Sequence, residues 1–252
     1  MIKGLYSAVS AMVMNATRQQ VLTHNIANME TPGFKQILTT VNDFMQDQAV
    51  YVNENIGSNA VDYVGTMGLG SQIGREFVDF EAGPLEQTEN PLDLALQGNG
   101  FFRVDTPDGE RYTRDGRFLR DSDNNLVTVE GFKVLDDAGQ AIQLPDGDVS
   151  VSTDGNISVN GQQVAQLGFG VFENPRDELH HTEGNLFSGP AESTSEDEPR
   201  VAQGYLESSN ANPSQLMTQL VEVARSYEAA QKLVQNQDEL LGKTISSLGR
   251  IG

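Results

Sequence analysis

Asn25-Ile26-Ala27-Asn28-Met29-Glu30-Thr31-Pro32-Gly33-Phe34-Lys35 ends a helix and redirects the chain. Pro32 biases Thr31 away from the helical region and Gly33 can take a left-handed turn, so a helix entering this stretch stops within it. Upstream, Ile2, Leu5, Val9, Met12, Ala16, Gln19, Thr23 and Ile26 step by alternating threes and fours. That is the seam of a helix packing lengthwise against another helix. Before Glu30 the same segment carries only Lys3 and Arg18 as charges, while amides and hydroxyls fill its other outward positions. So sparse a charge points to burial against other copies of the chain, the alternative being an ordinary core helix.

A matching seam lies at the far end, where Leu216, Leu220, Val223, Tyr227, Ala230, Val234, Gln237, Leu241, Thr244 and Leu248 repeat the alternation. Pro213-Ser214 can open that helix. The expected fold is therefore mixed α and β. The N- and C-terminal helices, residues 1–35 and 213–252, pair as a coiled-coil-like stalk, and a central all-β, antiparallel, hairpin-rich domain is looped out between them.

Between the helices the pattern changes three times. Residues 36–90 form an extended or loop region: Ile37, Leu38, Val41, Phe44 and Met45 allow a short helical continuation over 36–47, and 49–74 read as extended chain or loop. From 91 to 172 turn signals recur at short intervals: Pro107-Asp108-Gly109, Asp115-Gly116, Asp123-Asn124-Asn125, Asp137-Ala138-Gly139, Pro145-Asp146-Gly147, Asp154-Gly155 and Asn160-Gly161. Strands are expected between them, at 101–105, 117–120, 126–129, 132–135, 141–144, 149–151, 157–159 and 164–172. Residues 173–212 read as an acidic loop and a return segment leading back to the last helix.

The charge follows the same division. Of a net −20, residues 1–28 contribute +2 and the tail from Pro213 contributes zero, so the middle holds about −22. An acidic body on neutral helical ends fits a solvated outer layer on a packed stalk and argues against nucleic acid as a partner. Cysteine is absent, which excludes disulfides and thiolate metal sites. No run of eighteen apolar residues is present, and the N-terminus has neither the apolar core nor the cleavage site of an ordinary secretory signal.

Residues that invite chemistry are few. The 36 carboxylates sit mostly in turns and acidic loops, and no pair stands out as a general acid and base. His180-His181 and His24 supply no third nitrogen at ligand spacing. Asp121-Ser122-Asp123-Asn124-Asn125 begins like a calcium loop, but Leu126 replaces the glycine and Phe132 the closing glutamate, leaving an ordinary turn. No catalytic, cofactor or metal residue, and no small-molecule substrate, is expected. Arg103, Arg111, Arg114, Arg117 and Arg120 crowd into eighteen positions. They either pair within the domain or, for Arg114 and Arg117, reach carboxylates of a neighbouring subunit.

The pattern Asn25, Ile26, Ala27, Asn28, Thr31, Gly33 and Phe34 resembles the N-terminal signature of the rod and hook proteins of the bacterial flagellum. Leu92 to Phe102, Tyr112-Thr113-Arg114-Asp115-Gly116 and Leu126-Val127-Thr128 resemble that family's central β-domain, and Ala224 to Ala229 its C-terminal block. Length and the presence of a β-domain place the resemblance nearest the distal-rod group. It implies a structural subunit that polymerises through its terminal helices into a helical hollow shaft transmitting torque. It further implies partners among itself, other rod and hook proteins and the flagellar export apparatus, and passage across the inner membrane without a cleaved signal. The competing expectation is a secreted β-rich, glycan-binding module on a coiled-coil stalk, although the chain has no Trp for an aromatic platform.

Overall fold

The computed structural model describes residues 2–52, 61–190 and 199–248. In chain order they form α1 (Ile2–Ala27), β1 (Ile37–Val52), β2 (Val61–Val78), β3 (Leu85–Gln87), β4 (Leu94–Gln97), β5 (Phe101–Thr106) and β6 (Gly109–Thr113). There follow β7 (Leu119–Arg120), β8 (Leu126–Val127), β9 (Lys133–Val134), β10 (Val149–Val151), β11 (Asn156–Val159), β12 (Gln162–Gln166) and β13 (Phe169–Gly170). The chain closes with α2 (Pro175–Glu178), β14 (His180–His181), β15 (Leu186–Ser188), β16 (Arg200–Gln203), β17 (Tyr205–Glu207) and α3 (Pro213–Leu248). Two compact units result. One gathers residues 1–26, 37–77 and 213–252, the other 27–36 and 78–212.

In the first unit α1 stops at Ala27, ahead of Pro32, and α3 starts at Pro213, where a missing N–H costs nothing because the first turn has no acceptor for it. Buried positions recur every seven residues, at Ala8, Asn15 and Leu22 in α1 and at Leu216, Val223 and Ala230 in α3. β1 and β2 pair as a two-stranded sheet, where the sequence suggested a short helical continuation over 36–47 and extended chain or loop over 49–74. The run Ile37-Leu38-Thr39-Thr40-Val41 is rich in β-branched residues, which lose rotamer freedom in a helix and favour strands. Its partner arrives some 35 residues later, beyond any local reading. Thr40 Oγ1 braces the pair, accepting from Arg75 N–H at 2.9 Å and donating to Arg75 O at 3.2 Å.

In the second unit every strand pair is antiparallel, as expected. The largest sheet runs β14-β15-β6-β5-β9-β8-β7, with β13 also pairing β5. Strand alternation makes β5 the divider of two cores. Phe102 and Val104 point into one, with Phe118, Leu126, Val134, Leu144 and Ile157. Phe101 points into the other, with Tyr112, Phe172, Leu179 and Phe187. Phe102 meets Phe118 edge to face, with centroids 4.9 Å apart. The sequence signalled the Pro107-Asp108-Gly109 turn but not the strand after it, and β6 pairs with β5 from Phe102↔Thr113 to Thr106↔Gly109. Residues 141–144 make isolated bridges rather than a ladder. Two short ladders, β16 with β4 and β17 with β3, bring the return segment back onto the start of the unit.

Truncating Phe102, which is fully buried, to Ala should lower stability by about 3–5 kcal/mol, read as a fall in the urea midpoint. Val129→Ala, at a half-exposed turn position, should change it by less than about 0.5 kcal/mol.

Candidate functional site

Three segments far apart in sequence meet in the second unit at Lys35, Arg114 and Glu207, whose relative exposures are only 2, 5 and 2%. The Lys35 ammonium donates to Glu207 Oε1 at 2.5 Å and to the Glu81 carbonyl at 2.7 Å. Gly83 N–H donates to the same carboxylate oxygen at 2.9 Å. Arg114 Nη1 donates to Glu207 Oε2 and to the Leu96 carbonyl, both at 3.3 Å, and its Nη2 donates to the Gly98 carbonyl at 2.6 Å. The guanidinium carbon lies 5.1 Å from the centroid of Phe101. Glu207 also closes the site through its backbone, its carbonyl accepting the Gly33 N–H at 2.6 Å.

Local sequence explains why the chain can enter here. Gly33 has φ +70, and a Cβ on it would collide with the backbone carbonyl of Arg114. Only glycine meets both demands. Phe34, 2% exposed, fills the space behind the turn, and Lys35 follows it inward. Asn210 fastens the neighbouring backbone: its Oδ1 accepts from Gln36 N–H at 2.8 Å, and its Nδ2 donates to the carbonyls of Asp79 at 2.8 Å and Glu81 at 3.1 Å. In the first unit Asn25 acts alike, its buried amide both donating to Ile37 O at 2.7 Å and accepting from Ile37 N–H at 2.9 Å. That amide supplies the opening rung of β1.

Two cations share one carboxylate, so the cluster is formally short of negative charge. Backbone carbonyls of Glu81, Leu96 and Gly98 and the face of Phe101 make up part of the deficit. Burial holds the Lys35 ammonium below its usual pKa, with the attraction of Glu207 opposing that shift, and burial likewise lowers Arg114. The arrangement has no nucleophile and no open face. Its chemistry is structural: it ties residues 33–35, 81–83, 96–98, 114 and 207 into one knot.

The other signature and seam residues are placed as follows. Asn28 accepts from Thr31 through its carbonyl, at 3.1 Å, and through its side chain, at 3.3 Å; Ile26 is half-buried and Ala27 exposed. On α1 the buried stripe falls one residue before the expected seam: Ala8, Asn15 and Leu22 are buried, Leu5, Met12 and Ala16 are half-buried, and Val9 is 44% exposed. Small and polar residues can face inward where the approach is close, a possibility that hydrophobic stepping does not register. On α3 Leu216 and Val223 are buried and Leu220, Tyr227, Val234 and Leu241 half-buried. The side chain of Leu248 lies outside the described residues.

Arg114 offers no charge to a neighbouring subunit, because it is spent inside the chain on Glu207. Arg117 pairs with Asp115 at 2.6 Å, Arg103 with Glu110 at 2.6 Å and Arg120 with Asp146 at 3.1 Å, all within the domain, and Arg111 donates to the Glu110 carbonyl at 3.0 Å. Sequence reasoning missed Lys35 and Glu207 altogether. The available signal was a lysine directly after the glycine-aromatic pair, in a segment with few other charges. Asp121 forms the ordinary turn expected of it, accepting from Asp123 N–H and Asn125 N–H. Among the described residues no group of three His, Cys, Asp or Glu could hold a metal.

Family models match three stretches. One described as a flagella basal body rod protein matches residues 5–35, a flagellar hook protein FlgE/F/G D1 domain matches 95–159, and a flagellar basal body rod FlgEFG protein C-terminal region matches 202–248. Lys35, Arg114 and Glu207 fall one in each. Over 250 residues the chain is 33% identical to the flagellar basal-body rod protein FlgF of Rhizobium meliloti, covering 98% of both chains. It is 33% identical over 261 residues to FlgF of Caulobacter vibrioides, covering all of both. With FlgG of Bacillus subtilis it shares 31% over 267 residues, covering 98% of this chain and 99% of the other.

Glu207→Gln should cost about 3–5 kcal/mol, because it strands two buried cations, whereas Lys35→Met, which leaves a matched Arg114–Glu207 pair, should cost far less. Equal losses in urea unfolding would contradict this account. Because folding depresses the Lys35 pKa, the unfolded chain binds that proton more tightly, and stability rises with pH in the window approaching 10.5. The wild type should therefore gain on Lys35→Met across that window.

Proposed function

The chain belongs to the family of flagellar hook and basal-body rod proteins and is a structural subunit of the rod, of the FlgF/FlgG type; from that premise we propose how it assembles. The two terminal helices pair within the chain along their buried stripes, as an antiparallel coiled coil. The spacing of seven in both stripes supports this, as does the approach of a Cβ built on Gly4 to within 3.9 Å of Gln237 Nε2. The paired helices then pack against those of neighbouring subunits.

The observation that carries the second step is the apolar surface left open on both helices. Tyr6 and Val13 on α1 are 64 and 63% exposed, and on α3 Met217, Val221, Leu233, Leu240 and Ile245 are all at least half exposed. So many large apolar side chains along two helices are costly in a monomer and are covered by association. Contacts between unlike faces that do not close on themselves produce a helical polymer, here a hollow shaft that carries torque. The acidic middle, about −22, then solvates the outside.

Its further partners are other rod and hook components. The export apparatus delivers the chain without a cleaved signal, across the inner membrane into the cell envelope. The role requires no catalysis, cofactor, nucleic acid or small-molecule substrate. Likeness to rod proteins along the whole chain, both helices included, disfavours the secreted binding module.

Val13→Glu and Leu233→Glu should abolish filament formation, followed by sedimentation and electron microscopy, while the melting temperature of the monomer stays within about 2 °C of wild type. Normal polymerisation by both variants would contradict the reading.

A further inference from the structure

Two asparagines stand directly before glycines, Asn99 before Gly100 and Asn160 before Gly161. An asparagine so placed can lose its side-chain amide without an enzyme, because the next main-chain nitrogen can reach the side-chain carbonyl carbon and glycine has no Cβ to hinder it. The two pairs are held differently. Asn160 and Gly161, with φ 52 and 80, form the two-residue turn between β11 and β12. The Asn160 side chain is fixed at both ends: its Nδ2 donates to the Asp146 carbonyl at 3.3 Å, and its Oδ1 accepts from Asp148 N–H at 3.2 Å. Gly147 lies so close against that amide that a Cβ on it would stand 2.3 Å from Asn160 Nδ2. Asn99 lies in the connection between β4 and β5, is exposed, and makes no side-chain hydrogen bond among the described residues. The glycine after it is required by packing, since a Cβ at position 100 would stand 2.6 Å from Pro199 Cγ.

We propose that Asn99 is a site of spontaneous deamidation in the folded protein, and that Asn160 is shielded from the same reaction by its turn. The Gly100 nitrogen gives its proton to solvent base and attacks the Asn99 side-chain carbonyl carbon. The bond from that carbon to the side-chain nitrogen breaks, ammonia leaves, and a cyclic succinimide remains. Water then adds to either ring carbonyl and opens the ring, leaving aspartate or isoaspartate at position 99. The exposed, unbonded Asn99 side chain is free to turn toward that nitrogen. Asn160 has first to release two hydrogen bonds and leave its left-handed turn, and two bonds of ordinary net strength keep such a conformation about 30-fold less populated. The new carboxylate arises one residue after Gly98, whose carbonyl accepts from Arg114 Nη2 at 2.6 Å. In the isoaspartate form the main chain also gains a carbon between β4 and β5.

The full-length protein is incubated at mildly alkaline pH in native buffer and, in parallel, in urea concentrated enough to unfold it. Peptides spanning Asn99 and Asn160 are followed by chromatography and mass spectrometry, which register the mass gain from amide to acid and separate aspartate from isoaspartate. Hydrogen exchange of β5 and β6 shows that the native sample stays folded. In native buffer Asn99 should convert some tens of fold faster than Asn160. In urea, where both pairs are released, the two rates should converge. Asn99→Gln, which would have to close a larger ring, should silence conversion at position 99 and leave Asn160 unchanged. No conversion at Asn99 in native buffer, or conversion no faster than at Asn160, would overturn the proposal. A difference that persists in urea would trace the selectivity to neighbouring sequence and overturn the role of the turn.

Discussion

Burying two cations against a single carboxylate is the constraint around which this chain is arranged. An ammonium and a guanidinium removed from water are tolerable only if their partners are present together and well placed. Glu207 pairs with both cations and fixes Gly83 with its side chain, and it holds Gly33 with its backbone. Its partners lie 172 and 93 residues away in sequence. Each contact is therefore possible only when the strands between have found their places. The cluster reports on the whole unit rather than on any one element of it.

That arrangement suits a subunit with exposed ends. Both helices are long and leave large apolar side chains exposed, and α1 also carries few charges. A helix of that kind is prone to pair with whatever it meets first. Asn25 and Asn210 extend the same logic to adjacent residues, holding Ile37 in one unit and Gln36 in the other through side-chain amides that stand in for strand partners.

Much of this was legible in the residues. The stop at Pro32, the start at Pro213 and the turn punctuation from Pro107 to Gly161 located both helices and most of the hairpins, because glycine, proline and aspartate act through local backbone preference. What depended on a distant partner was not legible. The pairing of β1 with β2 was not foreseen because each is stabilised by the other, and the inward face of α1 was placed one residue late because Ala8 and Asn15 are chosen for size rather than hydrophobicity. The arginine cluster was visible, but the inward direction of Arg114 was not, since a buried guanidinium and an exposed one look the same in sequence. Glu207 sits in a stretch with two neighbouring serines and nothing to mark it as buried. Similarity to the family located Lys35, Arg114 and Glu207 within matched stretches without assigning them to one another.

Amide exchange at Gly33, resolved by NMR in the full-length monomer, addresses the Lys35–Glu207–Arg114 cluster most directly. If the Gly33 N–H is held by Glu207 as part of the core of the β-rich unit, it should exchange as slowly as the ladder amides of β5 and β6, through global opening of that unit. Exchange as fast as that of a solvent-exposed turn, with β5 and β6 still protected, would show that the N-terminal signature is not docked and would contradict the account.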